Sequence, residues 1–144
     1  MIIRLLATQI SRHWDVIKYA LQQVERLGVD DSARRFNHVF ASLLSDKSQC
    51  FLKHIDNEIQ AVMVTEIIEN SIDKKRTNKV RLLYAFKPFT MDEWDELLKV
   101  LRKLAISEKC STIMFETKHP KILTMAENRG FTNAFTTMVY AIGD

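Results

Sequence analysis

Glycine and proline are scarce in this sequence, with three and two among 144 residues. So little of either excludes a collagen-like repeat, a Pro/Gly-rich disordered chain and a loop-rich all-β fold. Few glycines also restrict any loop that must bring backbone amides against a phosphate. Cysteine is as rare. Cys50 and Cys110 stand far apart, and no CxxC or HxxxH spacing exists. Neither a disulfide framework nor a zinc site is encoded, and both thiols are expected to be reduced and mostly buried. No apolar run nears the ~18 residues of a membrane span. The opening Met1-Ile2-Ile3-Arg4-Leu5-Leu6-Ala7 turns polar too early for a signal peptide, so a cytoplasmic location is expected. There is no large excess of one charge either. Lys and Arg number 21 against 18 Asp and Glu, a net +3, too small a surplus to require a nucleic-acid or membrane partner.

What is present is an ordinary soluble balance, 47% hydrophobic and 27% charged, in a length that suits one domain over 1–144. Folding a chain of this size hides roughly two-thirds of its surface, so a core is available without metal or disulfide staples.

The hydrophobic pattern alternates between two periods. Ile2 to Ala7 reads as a first strand. Trp14, Ile17, Leu21, Val24 and Leu27 make one helix face, stopped by Gly28. Asp30 or Asp31 is the expected cap of a second helix with the face Phe36, Val39, Phe40, Leu43 and Leu44. Gln49–His54 and Glu58–Ile68 read as a hairpin turning at Asp56-Asn57. The second arm is apolar on both faces, as a covered central strand should be. Asn70 to Lys79 reads as a long polar loop and Val80 to Phe86 as a strand. The clearest helix spans about Met91 to Glu108. Thr90 and Glu93 form a capping box, and Trp94, Leu97, Leu98, Leu101, Leu104 and Ala105 make its inner face. Thr112–Thr117 reads as a strand, and Pro120 opens a short helix that Gly130 closes. Phe131–Ile142 reads as a last strand or strand pair. The order is β-α-α-β-β-β-α-β-α-β(β), an α/β (α+β) sandwich with a mixed, mostly antiparallel sheet flanked by helices.

Three stretches carry a resemblance. Ile2-Ile3-Arg4 with the following helix, Lys53-His54-Ile55-Asp56-Asn57-Glu58-Ile59-Gln60-Ala61, and Leu123-Thr124-Met125-Ala126-Glu127-Asn128-Arg129-Gly130-Phe131 resemble the opening strand, the second hairpin and the last helix of the GNAT family, the acyl-CoA-dependent N-acyltransferases. The resemblance covers nearly the whole chain. It implies a GNAT-like single domain with acetyl-CoA as acyl donor. It also implies a phosphate-holding loop after the fourth strand, an acid on the last helix and a general base on the fourth strand.

The residues at those places depart from the family's pattern. The loop is Phe86-Lys87-Pro88-Phe89-Thr90-Met91-Asp92-Glu93, without glycine, with a proline and with two carboxylates where phosphate charge belongs. In an active enzyme Lys87, Phe89, Thr90 and Met91 would have to hold the donor. The position of the family's Tyr acid is Ala126. The fourth strand offers Lys79, Arg81 and Tyr84 and no carboxylate, which leaves Glu116 as substitute base and Tyr84 as substitute acid. Phe86, Phe89 and Trp94 are expected to flank and fill the donor cleft. Short GNAT-like proteins with degraded acyl-CoA loops occur in bacteriophage genomes, some within virion-assembly regions, and the second half of the chain resembles these too.

Other candidate sites are weaker. Lys74, Lys75, Arg76, Lys79 and Arg81 suit either nucleic-acid phosphate or neighbouring acids. No aromatic residue is interleaved among them, so no base-stacking platform is encoded. His13, His38, His54 and His119 share no helix face at i, i+4, and no metal site is expected. The leading expectation is a catalytically degraded GNAT-like module that works by protein binding, self-association or assembly, with no cofactor, in a bacteriophage particle. The alternative is an active N-acetyltransferase acting on a small-molecule or protein amine through an atypical pyrophosphate loop.

Overall fold

The structure, a computed structural model, describes residues 1–25, 29–117, 119–134 and 138–143. In chain order the elements are β1 (Ile2–Arg4), α1 (Ala7–Glu25), α2 (Val29–Leu44), β2 (Ser48–Ile55), β3 (Glu58–Glu69), β4 (Arg76–Ala85), α3 (Met91–Ser107), β5 (Thr112–Phe115) and α4 (Pro120–Asn128). The five strands form one sheet in the order β1-β2-β3-β4-β5. All neighbours are antiparallel except β4 and β5.

Strand alternation sorts the core into an upper layer, on the α1–α2 side of the sheet, and a lower layer, on the α3 side. Cys50, Leu52, Val62, Val64 and Leu82 point to one face and are covered by Ile10, Ile17, Ala20, Leu21, Val39 and Leu43 of α1 and α2. Phe51, Met63 and Val80 point to the other, under Leu97, Leu101 and Leu104 of α3. β3 is buried from Gln60 to Thr65, as a strand with helices on both sides must be. Asp56 and Asn57 take φ of 50° and 65°, the left-handed pair that a two-residue hairpin demands. Burial pushes the Cys50 thiol up to about 12. It is a small hydrophobe in the upper layer, not a nucleophile.

Both caps foreseen for the later helices form. Thr90 closes the start of α3 with the full capping box. His119 caps α4 ahead of Pro120, and Gly130 follows its end at φ 90°.

Three expectations need correction. The loop after β3 spans only 70–75, because β4 starts at Arg76. Its polar residues are paired within the fold. The Thr77 and Thr112 hydroxyls are 2.8 Å apart, and fully buried Asn78 donates its Nδ2–H to the Leu101 carbonyl at 3.0 Å. Asp30 and Asp31 lie inside α2, which begins at Val29; the Gly28 helix stop falls outside the described residues. Finally, 131–134 and 138–143 form no strand. Apolar composition alone does not make a strand when nothing pairs with it. Met138, Val139, Tyr140 and Ile142 face solvent.

Leu101, fully buried at the centre of the α3 layer, gives a direct test of this packing. Leu101→Ala should lower unfolding free energy by about 2–5 kcal/mol in urea titrations with an unchanged slope. A loss well under 1 kcal/mol would mean that α3 is not seated as described.

Candidate functional site

β4 and β5 pair over only four residues, Thr77–Val80 against Thr112–Phe115. Just past the last pair, β4 carries an extra residue. Its register against β3 steps from Val80↔Thr65 to Leu82↔Val64 and leaves Arg81 unopposed. Such a bulge bends a strand and increases its twist. β4 then runs on to Ala85 with no strand on its β5 side among the described residues. The result is a wedge between the second half of β4 and the chain leaving β5. The loop 86–90 and the start of α3 follow directly from it.

The start of α3 is occupied by the chain itself. The Glu93 amide donates to Thr90 Oγ1 at 3.2 Å, and the Thr90 amide donates to Glu93 Oε1 at 2.9 Å. The Glu93 carboxylate lies 3.5 Å from Lys53 Nζ, and that ammonium also reaches Glu96 at 3.3 Å. Lys53 is buried, its side chain 5% exposed. Burial by itself would raise the Glu93 pKa. The Thr90 amide, the Gln60 side chain, the Lys53 charge and the Thr90 hydroxyl outweigh it and hold the carboxyl below its usual range. Arg129 braces the same turn from α4, with its Nε 2.8 Å from Asp95 and its guanidinium donating to the Met91 carbonyl at 3.3 Å. A helix N-terminus attracts one anion, and here that anion is Glu93.

The residues singled out as donor-holding do not converge on an open phosphate site. Lys87 pairs with Glu58 at 3.0 Å, both of them exposed. Phe89 packs edge-to-face on Trp94 at 4.7 Å, within the lower core. Thr90 is the cap, and Met91 is 62% exposed beside Arg129. Phe86 parts from the other two aromatics. It lies on the α1 side, 5.9 Å from Tyr19 and 5.1 Å from Tyr84. The two proton-handling candidates have partners as well. Glu116, at the end of β5, is salt-bridged to Lys79. Tyr84 meets Tyr19 edge-to-face at 6.0 Å, and its pKa is raised by burial and then by that neighbour. Two small cavities, of about 30 and 10 Å³, lie against α2 and under α3; neither is lined by β5.

Three residues of the basic cluster are likewise paired. Arg76 reaches Glu108 at 3.3 Å, Lys79 pairs with Glu116, and Arg81 pairs with Glu66. For these three residues the contacts are with neighbouring acids, the second of the two readings. Among the described residues no group of His, Cys, Asp and Glu is placed to hold a metal ion.

Sequence reasoning passed over Lys53, Gln60, Tyr19 and Arg129. One signal was available. Lys53 stands two residues after Phe51 and therefore on the same covered face, where an ammonium needs a carboxylate.

The geometry has clear relatives among solved structures. A probable acetyltransferase matches with a TM-score of 0.74 at 16% identity, covering 100% of this chain and 99% of that one. A predicted acetyltransferase with acetyl-CoA from Clostridium acetobutylicum matches at 0.73 and 14%, covering 98% and 95%. The ribosomal-protein-alanine N-acetyltransferase from Brucella melitensis biovar Abortus 2308 matches at 0.69 and 12%, covering 99% of both chains. At these identities the likeness is one of fold, and the fold is that of the GNAT acetyltransferases. Compared with models of protein families the chain matches none, and it matches no curated protein.

Glu93 makes the site testable by pH. Its folded pKa is depressed, so its contribution to stability is present above the ordinary carboxylate range and is lost as pH falls through the folded value. Glu93→Gln keeps a capping-box side chain but no charge. The melting temperature of wild type should therefore drop more steeply than that of Glu93→Gln below about pH 5. Parallel acid limbs would show that Glu93 is not held as described. Thr90→Ala should cost about 1 kcal/mol at neutral pH.

Proposed function

We propose that this chain is a GNAT-fold protein that works by binding protein rather than by transferring acyl groups, in the bacteriophage-assembly setting that its resemblance implies. The observation that carries the reading is the self-filled N-terminus of α3. A donor's pyrophosphate would have to displace the Glu93 carboxylate from the Thr90 amide and from Lys53, and Thr90 Oγ1 from the Glu93 amide. It would then lie among Asp92, Asp95 and Glu96. Coulomb repulsion between such groups at contact distance is worth several kcal/mol at the partial screening of a protein surface. The loop supplies no glycine to bring further amides close. On these grounds the residues present do not fit an acyl-CoA pyrophosphate. Glu116 and Tyr84 are in addition engaged by Lys79 and Tyr19.

A second reading, an N-acyltransferase acting on a small-molecule or protein amine, is favoured by one feature. The wedge opened by the Arg81 bulge leaves part of the β4 edge free, and the solved neighbours are described as acetyltransferases, one of them with acetyl-CoA. In that reading Lys87, Phe89, Thr90 and Met91 hold the donor, and Glu116 or Tyr84 moves the proton.

Thermal unfolding with and without about 1 mM acetyl-CoA separates the two. A ligand at ~100 times its dissociation constant adds ~2.7 kcal/mol, which for a chain of this size raises Tm by roughly 5–15 °C. The protein-binding reading expects an unchanged, cooperative transition. A rise of that size that disappears in Lys87→Glu would overturn it in favour of acyl transfer.

A further inference from the structure

The larger of the two cavities, of about 30 Å³, lies between α2 and the sheet, in the upper layer. Its floor is apolar, with Leu21, Val64 and Leu82 each no more than 3% exposed. Its wall is polar. Ser42 and Ser48 bring hydroxyls, His38 an imidazole, and Arg35 and Arg81 guanidinium groups. Glu66 is the only acid among the described residues that line it. Lys87, Phe89, Thr90, Met91, Tyr84 and Glu116, on which the acyl-transfer reading depends, take no part in it.

Three features of the wall point to a ligand. The first is the bulge in β4. In a regular strand Arg81 and Leu82 would face opposite sides. The extra residue puts both on the same cavity, as a bulge does when it re-aims a side chain towards a site. The second is the bonding of Arg81. It uses Nε for Glu66, and its two terminal NH2 groups meet no acceptor among the described residues. The third is Ser48. It is only 8% exposed, it lines the cavity, and its hydroxyl has no hydrogen-bond partner among the described residues. A buried hydroxyl is ordinarily bonded.

These donors suit an acceptor with several lone pairs. A carboxylate offers about four, and a guanidinium can hold it through two parallel bonds. Charge selects the same class. The wall carries two guanidinium groups against one carboxylate, and that carboxylate is already engaged by Arg81. The volume holds roughly two water molecules, enough for the end of a ligand and too little for a cofactor.

We propose that this cavity binds the carboxylate end of an aliphatic ligand, with Arg81 and Ser48 as its donors and Leu82 beneath the stem. A free short-chain acid and a glutamate side chain of a partner protein share that chemistry. The binding does not depend on the state of the α3 N-terminus, so it stands or falls separately from the reading of the acyl-CoA site.

An amide-resolved NMR titration of the full chain with butyrate tests this, with butyramide and butylammonium as neutral and cationic counterparts at constant ionic strength. Butyrate should saturate with a Kd of about 1–10 mM, as so few non-hydrogen atoms allow, and shift the amides of Val39, Ser48 and Leu82. Arg81→Gln should weaken it at least ~10-fold, and Ser48→Ala should weaken it less. Glu66→Gln, which removes the competing acid, should tighten it. A glutamate capped at both ends separates the sources. If it binds tighter than butyrate, the ligand is a protein side chain; if weaker, a free acid. The proposal is overturned if butyramide binds as well as butyrate, if butylammonium binds better, or if no saturable shift appears by about 50 mM. An Arg81→Gln variant that keeps the wild-type affinity and a folded spectrum would overturn it as well.

Discussion

A single buried ammonium organises the lower half of this molecule. Lys53 stands on the covered face of β2 between Glu93 and Glu96 of α3. A lysine in that position is costly unless opposite charge meets it, and a carboxylate at a helix N-terminus is at its most favourable. Each requirement answers the other. The sheet needs acids above it, and the helix offers them in its first turns. With Thr90 on one side and Arg129 on the other, the start of α3 is fixed in place from the cap, the strand below and the last helix.

That arrangement separates the inheritance of a fold from the inheritance of a site. Solved acetyltransferases share this architecture over nearly their whole length at 9–16% identity. What such a likeness conveys is the layering and the strand order. Chemistry resides in a few side chains and amides, and at the start of α3 the Thr90 amide is bonded to the chain's own Glu93 carboxylate. The wedge beside β4 persists because it follows from backbone geometry, a bulge and a short parallel pair. Its electrostatic lining is a separate matter of side chains.

Much of this was legible in the residues. The Thr90–Glu93 box, the Asp56-Asn57 turn and the two-sided apolar run of β3 are local patterns, and local patterns are what periodicity can read. The partners of Glu116, Tyr84 and Arg76 were not legible, because each comes from an element distant in sequence. The misassigned start of β4 has the same origin. Thr77 and Asn78 look like loop residues until the Thr112 hydroxyl and the Leu101 carbonyl are seen beside them. Phe86 shows the limit most plainly. It lies only three residues from Phe89 yet rests, partly exposed, against Tyr19 and Tyr84 on the α1 side, just past the end of β4, while the loop beyond turns under α3.

The extra residue in β4 reaches further than the bend it causes. Val80 belongs to the α3 layer and Leu82 to the α1–α2 layer, although two residues apart in a regular strand should share a face. Arg81 is therefore a residue that takes up length without taking a place in the pairing. Val80 and Leu82 keep the consecutive partners Thr65 and Val64, which lie on opposite faces. Deleting Arg81 would restore regular alternation and leave Leu83 in the α3 layer and Tyr84 in the α1–α2 layer, whereas losing a residue between Leu82 and Ala85 would turn the rest of the strand over. The bulge is thus the place where β4 can change length without exchanging its two faces.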